Sequence, residues 1–150
     1  MGSFGKTSWQ SLLFVFIQFF SLAMIGLTGP LIPDSSLLLV IELMGLGLGL
    51  WAVATMRVGH FNITPEPLQW SKLVSKGPYQ LIRHPMYLAL LLTTLPLVIA
   101  DFSLIRLGFW VTLLIDLVFK MGYEEGLLEE RFPGYSQYIE STARIIPGIY

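Results

Sequence analysis

The chain has 150 residues, 54% hydrophobic and only 13% charged, with a mean hydropathy of +0.68. That composition excludes an ordinary soluble domain and predicts a single small all-α integral membrane domain. A net charge of -1 gives no reason to expect a nucleic-acid partner. The absence of cysteine removes disulfides, thiol nucleophiles and cysteine metal sites, and His60 and His84 stand in no metal-ligand spacing, so no metal is expected.

Residues 12–32 are apolar apart from Gln18, Ser21 and Thr28, enough for a helix to cross a hydrocarbon core of about 30 Å. Lys6 ahead of the run and small residues near Ala23 resemble a signal peptide, but the apolar stretch exceeds the usual signal length, so a retained span is expected. Pro30, Pro33, Asp34, Ser35 and Ser36 then form a short turn without Lys or Arg. Residues 37–56 give a second span, on which Gly45, Gly47 and Gly49 would admit a neighbouring helix. Glu42 lies inside it; an ionisable residue at that depth should face the bundle or a polar cavity.

Residues 57–85 turn to Pro, Gly, Asn, Lys and Arg and read as a membrane-surface loop, with Trp70 and Tyr79 at headgroup level. A third apolar run, 86–102, is short for a crossing and interrupted by Pro96, so a kinked helix is predicted. Residues 104–121 supply a fourth, in a tight hairpin with the third. Arg106 is expected to snorkel outward and Asp116 to face the interior. The tail, 122–150, is polar and aromatic, with a helix predicted over 124–132 before Pro133-Gly134. In a four-span arrangement Lys6, Arg57, Lys72, Lys76, Arg83, Lys120, Arg131 and Arg144 fall on one side and only Arg106 on the other. A multi-pass protein with both termini and the segments 57–85 and 122–150 in the cytoplasm is therefore predicted.

That topology brings two polar constellations to one end of the hairpin: Tyr79, Arg83, His84 and Tyr87 from Gly77-Pro78-Tyr79-Gln80-Leu81-Ile82-Arg83-His84-Pro85-Met86-Tyr87, and Lys120, Glu124 and Glu125 from the other arm. Pro85 suits the first turn of a helix, which puts His84 near its N-cap, where exposed N–H groups favour an anionic ligand group. Taken singly, each run also reads as a plain membrane anchor or a solvated acidic face.

Together, Gly77-Pro78-Tyr79 followed by Arg83-His84-Pro85-Met86-Tyr87, a hairpin, and Glu124-Glu125 with Phe132, Tyr135, Tyr138, Arg144 and Pro147 resemble the isoprenylcysteine carboxyl methyltransferase and phospholipid methyltransferase superfamily. The resemblance covers residues 73–147. It implies a small integral membrane enzyme using S-adenosylmethionine at the cytoplasmic end of the hairpin, acting on the head group of a lipid or lipidated substrate among membrane lipids, such as the carboxylate of a prenylated cysteine. Carried over by position, it assigns cofactor binding to Ser71, Lys72, Leu73, Val74, Tyr79, His84, Pro85, Met86, Tyr87, Glu124 and Glu125, and catalytic roles to Glu125, Lys120 and Arg144. The chain departs from the family at three places. Lys120 stands for an arginine, which keeps charge but loses a two-point grip on a carboxylate. Ala89 stands for a glycine, and Tyr135 and Tyr138 sit one residue closer to Phe132.

The chemistry suits this inventory. A sulfonium leaving group departs neutral and needs no acid, and a carboxylate acceptor needs no base, so alignment is the main task. Tyr79 or Tyr87 would contact the sulfonium by cation–π attraction. An amine or hydroxyl acceptor would require a base, with Glu125 or His84 first in line. Two other readings stand beside this one. Membrane sterol-type reductases using NADPH are similar at Arg144-Ile145-Ile146-Pro147-Gly148-Ile149-Tyr150, and a non-enzymatic membrane scaffold would use both motifs as interface anchors. Nothing in the sequence indicates the oligomeric state.

Overall fold

The computed structural model describes residues 7–56, 63–67 and 72–150; Lys6, Arg57, His60, Trp70 and Ser71 lie outside them. Among the described residues the chain is all-helical, with five α-helices and no strand. Helix α1 (Trp9–Leu27) begins where the Ser8 hydroxyl accepts the N–H of Ser11 at 3.1 Å, and it stops short of Gly29-Pro30, where proline offers no N–H to continue it. Its limits therefore fall earlier than the expected 12–32. Helix α2 (Ser36–Met56) matches the expected second span to one residue. These two are long and apolar enough to cross a membrane, and α3 (Pro85–Ala100) is a shorter apolar helix that runs through Pro96.

Helix α4 (Leu104–Arg131) corrects one expectation. The apolar run 104–121 and the tail helix from Glu124 are one continuous helix of 28 residues, about 42 Å long. Gly122 and Gly126 only weaken a helix, whereas no proline intervenes before Pro133. Helix α5 (Tyr135–Ser141) follows.

Packing sorts the helices into two pairs, α2 along α3 and α1 along α4, joined by the α3–α4 hairpin. The first pair is close because of glycine. A Cβ at Gly45 would lie 2.6–2.9 Å from Thr93 and the Leu92 backbone, and one at Gly49 would lie 3.3 Å from Cβ of Ala89, while one at Gly47 meets nothing within 4 Å. Ile25, Leu91, Leu97, Val98, Leu113 and Leu117 form the apolar core between the pairs.

Arg106 does not snorkel. Its side chain is fully buried, donating to the carbonyls of Leu97 (2.7 Å), Asp101 (3.1 Å), Ile25 (3.0 Å) and Pro30 (3.3 Å), with the Asp101 carboxylate at 3.5 Å. Helices α1 and α3 both end here; the Leu97 carbonyl has only a long 3.4 Å bond from the Asp101 N–H, and one guanidinium reaches it together with the Ile25 carbonyl in the last turn of α1. Asp116 is buried within α4, as its depth in an apolar stretch requires.

Candidate functional site

At the opposite end of the hairpin the chain enters α3 through a 3₁₀ turn over Gly77–Gln80. Gly77 has φ +57° and sits where a Cβ would come 2.6 Å from Oγ1 of Thr55, so the turn is fitted against the end of α2 and suits glycine on both counts. His84 then occupies the N-cap of α3 and Pro85 its first position.

The tail holds this segment in place. Ile82 and Ala143 form an isolated parallel bridge. The N–H of Ala143 donates to the Leu81 carbonyl at 3.0 Å, that of Arg83 to Ala143 at 2.8 Å, and that of His84 to Arg144 at 3.1 Å. The Tyr138 hydroxyl donates to the Tyr79 carbonyl at 2.6 Å; burial pushes that phenol up to about 12, so it stays a donor.

Glu125 is the hub of these ties. One carboxylate oxygen accepts Nε of Arg83 at 2.8 Å and lies 3.2 Å from Nε2 of His84; the other accepts Nε of Arg144 at 3.0 Å and its Nη2. Burial disfavours its charge, but the hydrogen bonds from His84, Arg144 and Arg83 outweigh this and hold the carboxyl well below the ordinary range. Hydrogen bonds to Glu125 in turn raise Arg144. A carboxylate so fully engaged has no lone pair left for an incoming proton.

Around His84 the geometry is different. Its ring stacks on Tyr87 with centroids 5.3 Å apart and planes 9° from parallel, its Nδ1 lies 3.8 Å from Oε2 of Glu124, and the Tyr87 hydroxyl donates to that oxygen at 2.7 Å. Nζ of Lys120 sits 5.3 Å over the Tyr87 ring and donates to the side-chain oxygen of Gln18 at 2.7 Å and to the Ile63 carbonyl at 3.1 Å. The segment carrying Ile63 is pinned beside α1: Oε1 of Glu66 accepts the Ser8 N–H at 2.9 Å and the Ser11 hydroxyl.

These groups border a cavity of about 530 Å³, within the usual range for a small-molecule site. Lys72, Leu73 and Val74 line it, as do Tyr79, His84, Pro85, Met86, Tyr87, Lys120 and Glu124. Ser71 lies outside the described residues. Glu125 stands behind the cavity wall, and Arg144 lines a separate shallow depression with Tyr150. The hydroxyls of Tyr79 and Tyr135, both on the cavity wall, are buried without a hydrogen-bond partner among the described residues. Burial, with Glu124 and Tyr138 for Tyr79 and Glu125 and Glu124 for Tyr135, raises both phenols, so each remains a protonated donor.

Away from this polar end the cavity continues as an apolar arm between α1, α2 and α3. Phe19, Leu46, Leu50 and Val53 line it and are also exposed, so the arm opens sideways between α1 and α2. Sequence reasoning gave no site role to Gln18 or Glu66, and named Arg83, Tyr135 and Tyr138 only as members of the motifs. The signal for Gln18 was present, the one amide within the apolar run 12–32; nothing local marked Glu66. Compared with protein-family models and with curated proteins, the chain matches none.

Proposed function

We propose that the protein is a four-span membrane methyltransferase that uses S-adenosylmethionine and acts on the head group of a membrane amphiphile, with its site on the cytoplasmic side. The observation that carries this reading is the shape of the one cavity described above: a polar end bounded by Tyr79, His84, Tyr87 and Glu124 joined to an apolar arm that opens between α1 and α2. The arm accommodates a hydrocarbon chain arriving from the bilayer while the head stays at the polar end. The outer faces of α1 and α2, with Phe16, Phe20, Leu43 and Leu50 exposed, suit contact with lipid. The likeness of the 77–87 run and Glu124-Glu125 to the isoprenylcysteine and phospholipid methyltransferases supports the choice of cofactor.

The residues present fit that cofactor. Two buried phenol donors, Tyr79 and Tyr135, lack partners among the described residues and suit its carboxylate or hydroxyls, and Glu124 suits its ammonium or ribose. S-adenosylmethionine, when bound, supplies a methyl group activated by a sulfonium. The chain's part is positioning. Glu125 fixes Arg83, His84 and Arg144 and so sets the floor of the polar end. His84 holds the Tyr87 ring by stacking, and Glu124 and Lys120 hold its hydroxyl and its face. Where the acceptor must lose a proton, Glu124 is the carboxylate on the cavity wall beside His84 and Tyr87, whereas Glu125 has no capacity left.

Calorimetry of S-adenosylmethionine binding to the protein in nanodiscs tests the reading, with NADPH as the comparison cofactor. Saturable binding of S-adenosylmethionine alone, weakened about tenfold or more by His84→Ala through loss of Tyr87 support, is expected. No saturable heat with S-adenosylmethionine would sink it.

A further inference from the structure

Helix α1 brings one polar side chain to the cavity, Gln18, where the polar end gives way to the apolar arm that Phe19 and Leu22 continue. Gln18 is only 7% exposed. An amide at that depth in an apolar helix is costly and calls for a use. Its oxygen is identified by its partner: an ammonium group only donates, so the atom 2.7 Å from Nζ of Lys120 is the carbonyl oxygen. The amide N–H pair is the end left over, and it has no partner among the described residues.

Lys120, Glu66 and Glu124 beside it each have a partner. Lys120 gives one hydrogen to Gln18 and a second to Ile63, and directs its charge at the Tyr87 ring. Glu66 accepts from Ser8 and Ser11, and Glu124 accepts from Tyr87. What the junction of head and arm still offers for hydrogen bonding is a pair of amide donors, beside Lys120 and the carboxylates of Glu66 and Glu124.

We infer that Gln18 positions the head group of the amphiphile, and that this head presents an oxygen lone pair, charged or neutral, rather than an ammonium. The identification of that amphiphile as a methyl acceptor rests on the function proposed above; the head-group preference itself does not. An ammonium head has no lone pair for the Gln18 N–H groups, whereas an oxygen acceptor can take both of them up.

Three ten-carbon probes that differ only in the head, decanoate, decanol and decylamine, test this in nanodiscs through the ligand-induced rise in unfolding temperature, at concentrations that leave empty discs unchanged. Gln18→Glu is the informative variant, since it keeps an oxygen for Lys120 while replacing the amide donors by acceptors. The wild type should bind decanoate and decanol about tenfold or more tightly than decylamine, and Gln18→Glu should reverse that order. The same order in both proteins, a wild-type preference for decylamine, or no response to any probe would overturn the inference. Calorimetry of S-adenosylmethionine on the same discs separates the two claims: a Gln18-dependent probe order without cofactor binding removes the methyltransferase reading and leaves the head-group preference standing.

Discussion

Arg144 reaches from the tail to α4 and places both Nε and Nη2 on a single oxygen of Glu125. Because Arg83 donates to the other oxygen at 2.8 Å, removing the Glu125 carboxylate strands two guanidinium groups that are only 10% and 24% exposed in their side chains. Glu125→Gln should lower unfolding stability by about 3 kcal/mol, at the lower end of the range for breaking a buried ion pair because Arg144 keeps some solvent. Thermal unfolding in detergent reads this, and a loss within experimental error would show that the tail is held without the Glu125 ion pairs.

The same carboxylate predicts an acid limb. Its folded value lies below the ordinary one, so below about pH 5 the unfolded chain binds more protons at Glu125 than the folded protein does. Its contribution is complete above the unfolded carboxylate value of about 4.3 and declines as pH falls from there toward the depressed folded value. Wild-type stability should therefore drop more steeply between about pH 5 and pH 2 than that of Glu125→Gln. Parallel pH profiles for the two proteins would contradict this assignment.

The helices were legible where their apolar lengths are local, as for α2 and α3, whereas the stop of α1 before Gly29-Pro30 and the continuity of α4 past Gly122 were not. Once seen, the ends of α1 at Gly29-Pro30 and of α4 before Pro133 follow from the backbone chemistry of those residues. The convergence of His84, Tyr87 and Glu124 was legible too, since a short hairpin returns both arms to one end. What stayed hidden depends on partners chosen in three dimensions. Gln18 and Lys120 are 102 residues apart and meet only because α1 lies along α4. Arg106 reads locally as a cation near a helix start, where snorkelling is inexpensive, yet carbonyls at two other helix ends draw it inward. The Ile82–Ala143 bridge involves no repeat or periodicity at all, so nothing in the sequence marked the tail as a clamp.

Arg106 supplies a third prediction. Arg106→Met keeps much of the volume and removes the guanidinium bonds to the Leu97, Asp101, Ile25 and Pro30 carbonyls, leaving Leu97 only the 3.4 Å bond from the Asp101 N–H. Each buried carbonyl left without a partner costs about 1–3 kcal/mol before water or relaxation offsets it, so a net loss of roughly 2–4 kcal/mol is expected. The polar end of the cavity lies at the other end of α3 and α4, so ligand affinity measured on the folded fraction should be unchanged. Unfolding assays combined with calorimetry distinguish this from a variant that disturbs the site.

Gly45 and Gly47 make a matched pair for testing how α2 is seated. A methyl at Gly45 would come within 2.7 Å of the Thr93 backbone nitrogen and 2.9 Å of the Leu92 carbonyl carbon, and backbone atoms in a helix yield only if the helices part. A methyl at Gly47 meets nothing within 4 Å. Gly45→Ala should cost about 1–3 kcal/mol, as overpacking does in other close-packed interiors. Gly47→Ala should be neutral or stabilise by up to about 1 kcal/mol, because alanine forms helix more readily than glycine. Since Gly45 also borders the apolar arm, parting α2 from α3 there would widen the cavity, so Gly45→Ala should loosen its hold on a ten-carbon chain while Gly47→Ala leaves it unchanged. Equal behaviour of the two variants in unfolding and in probe binding would mean that α2 does not rest on α3 through Gly45.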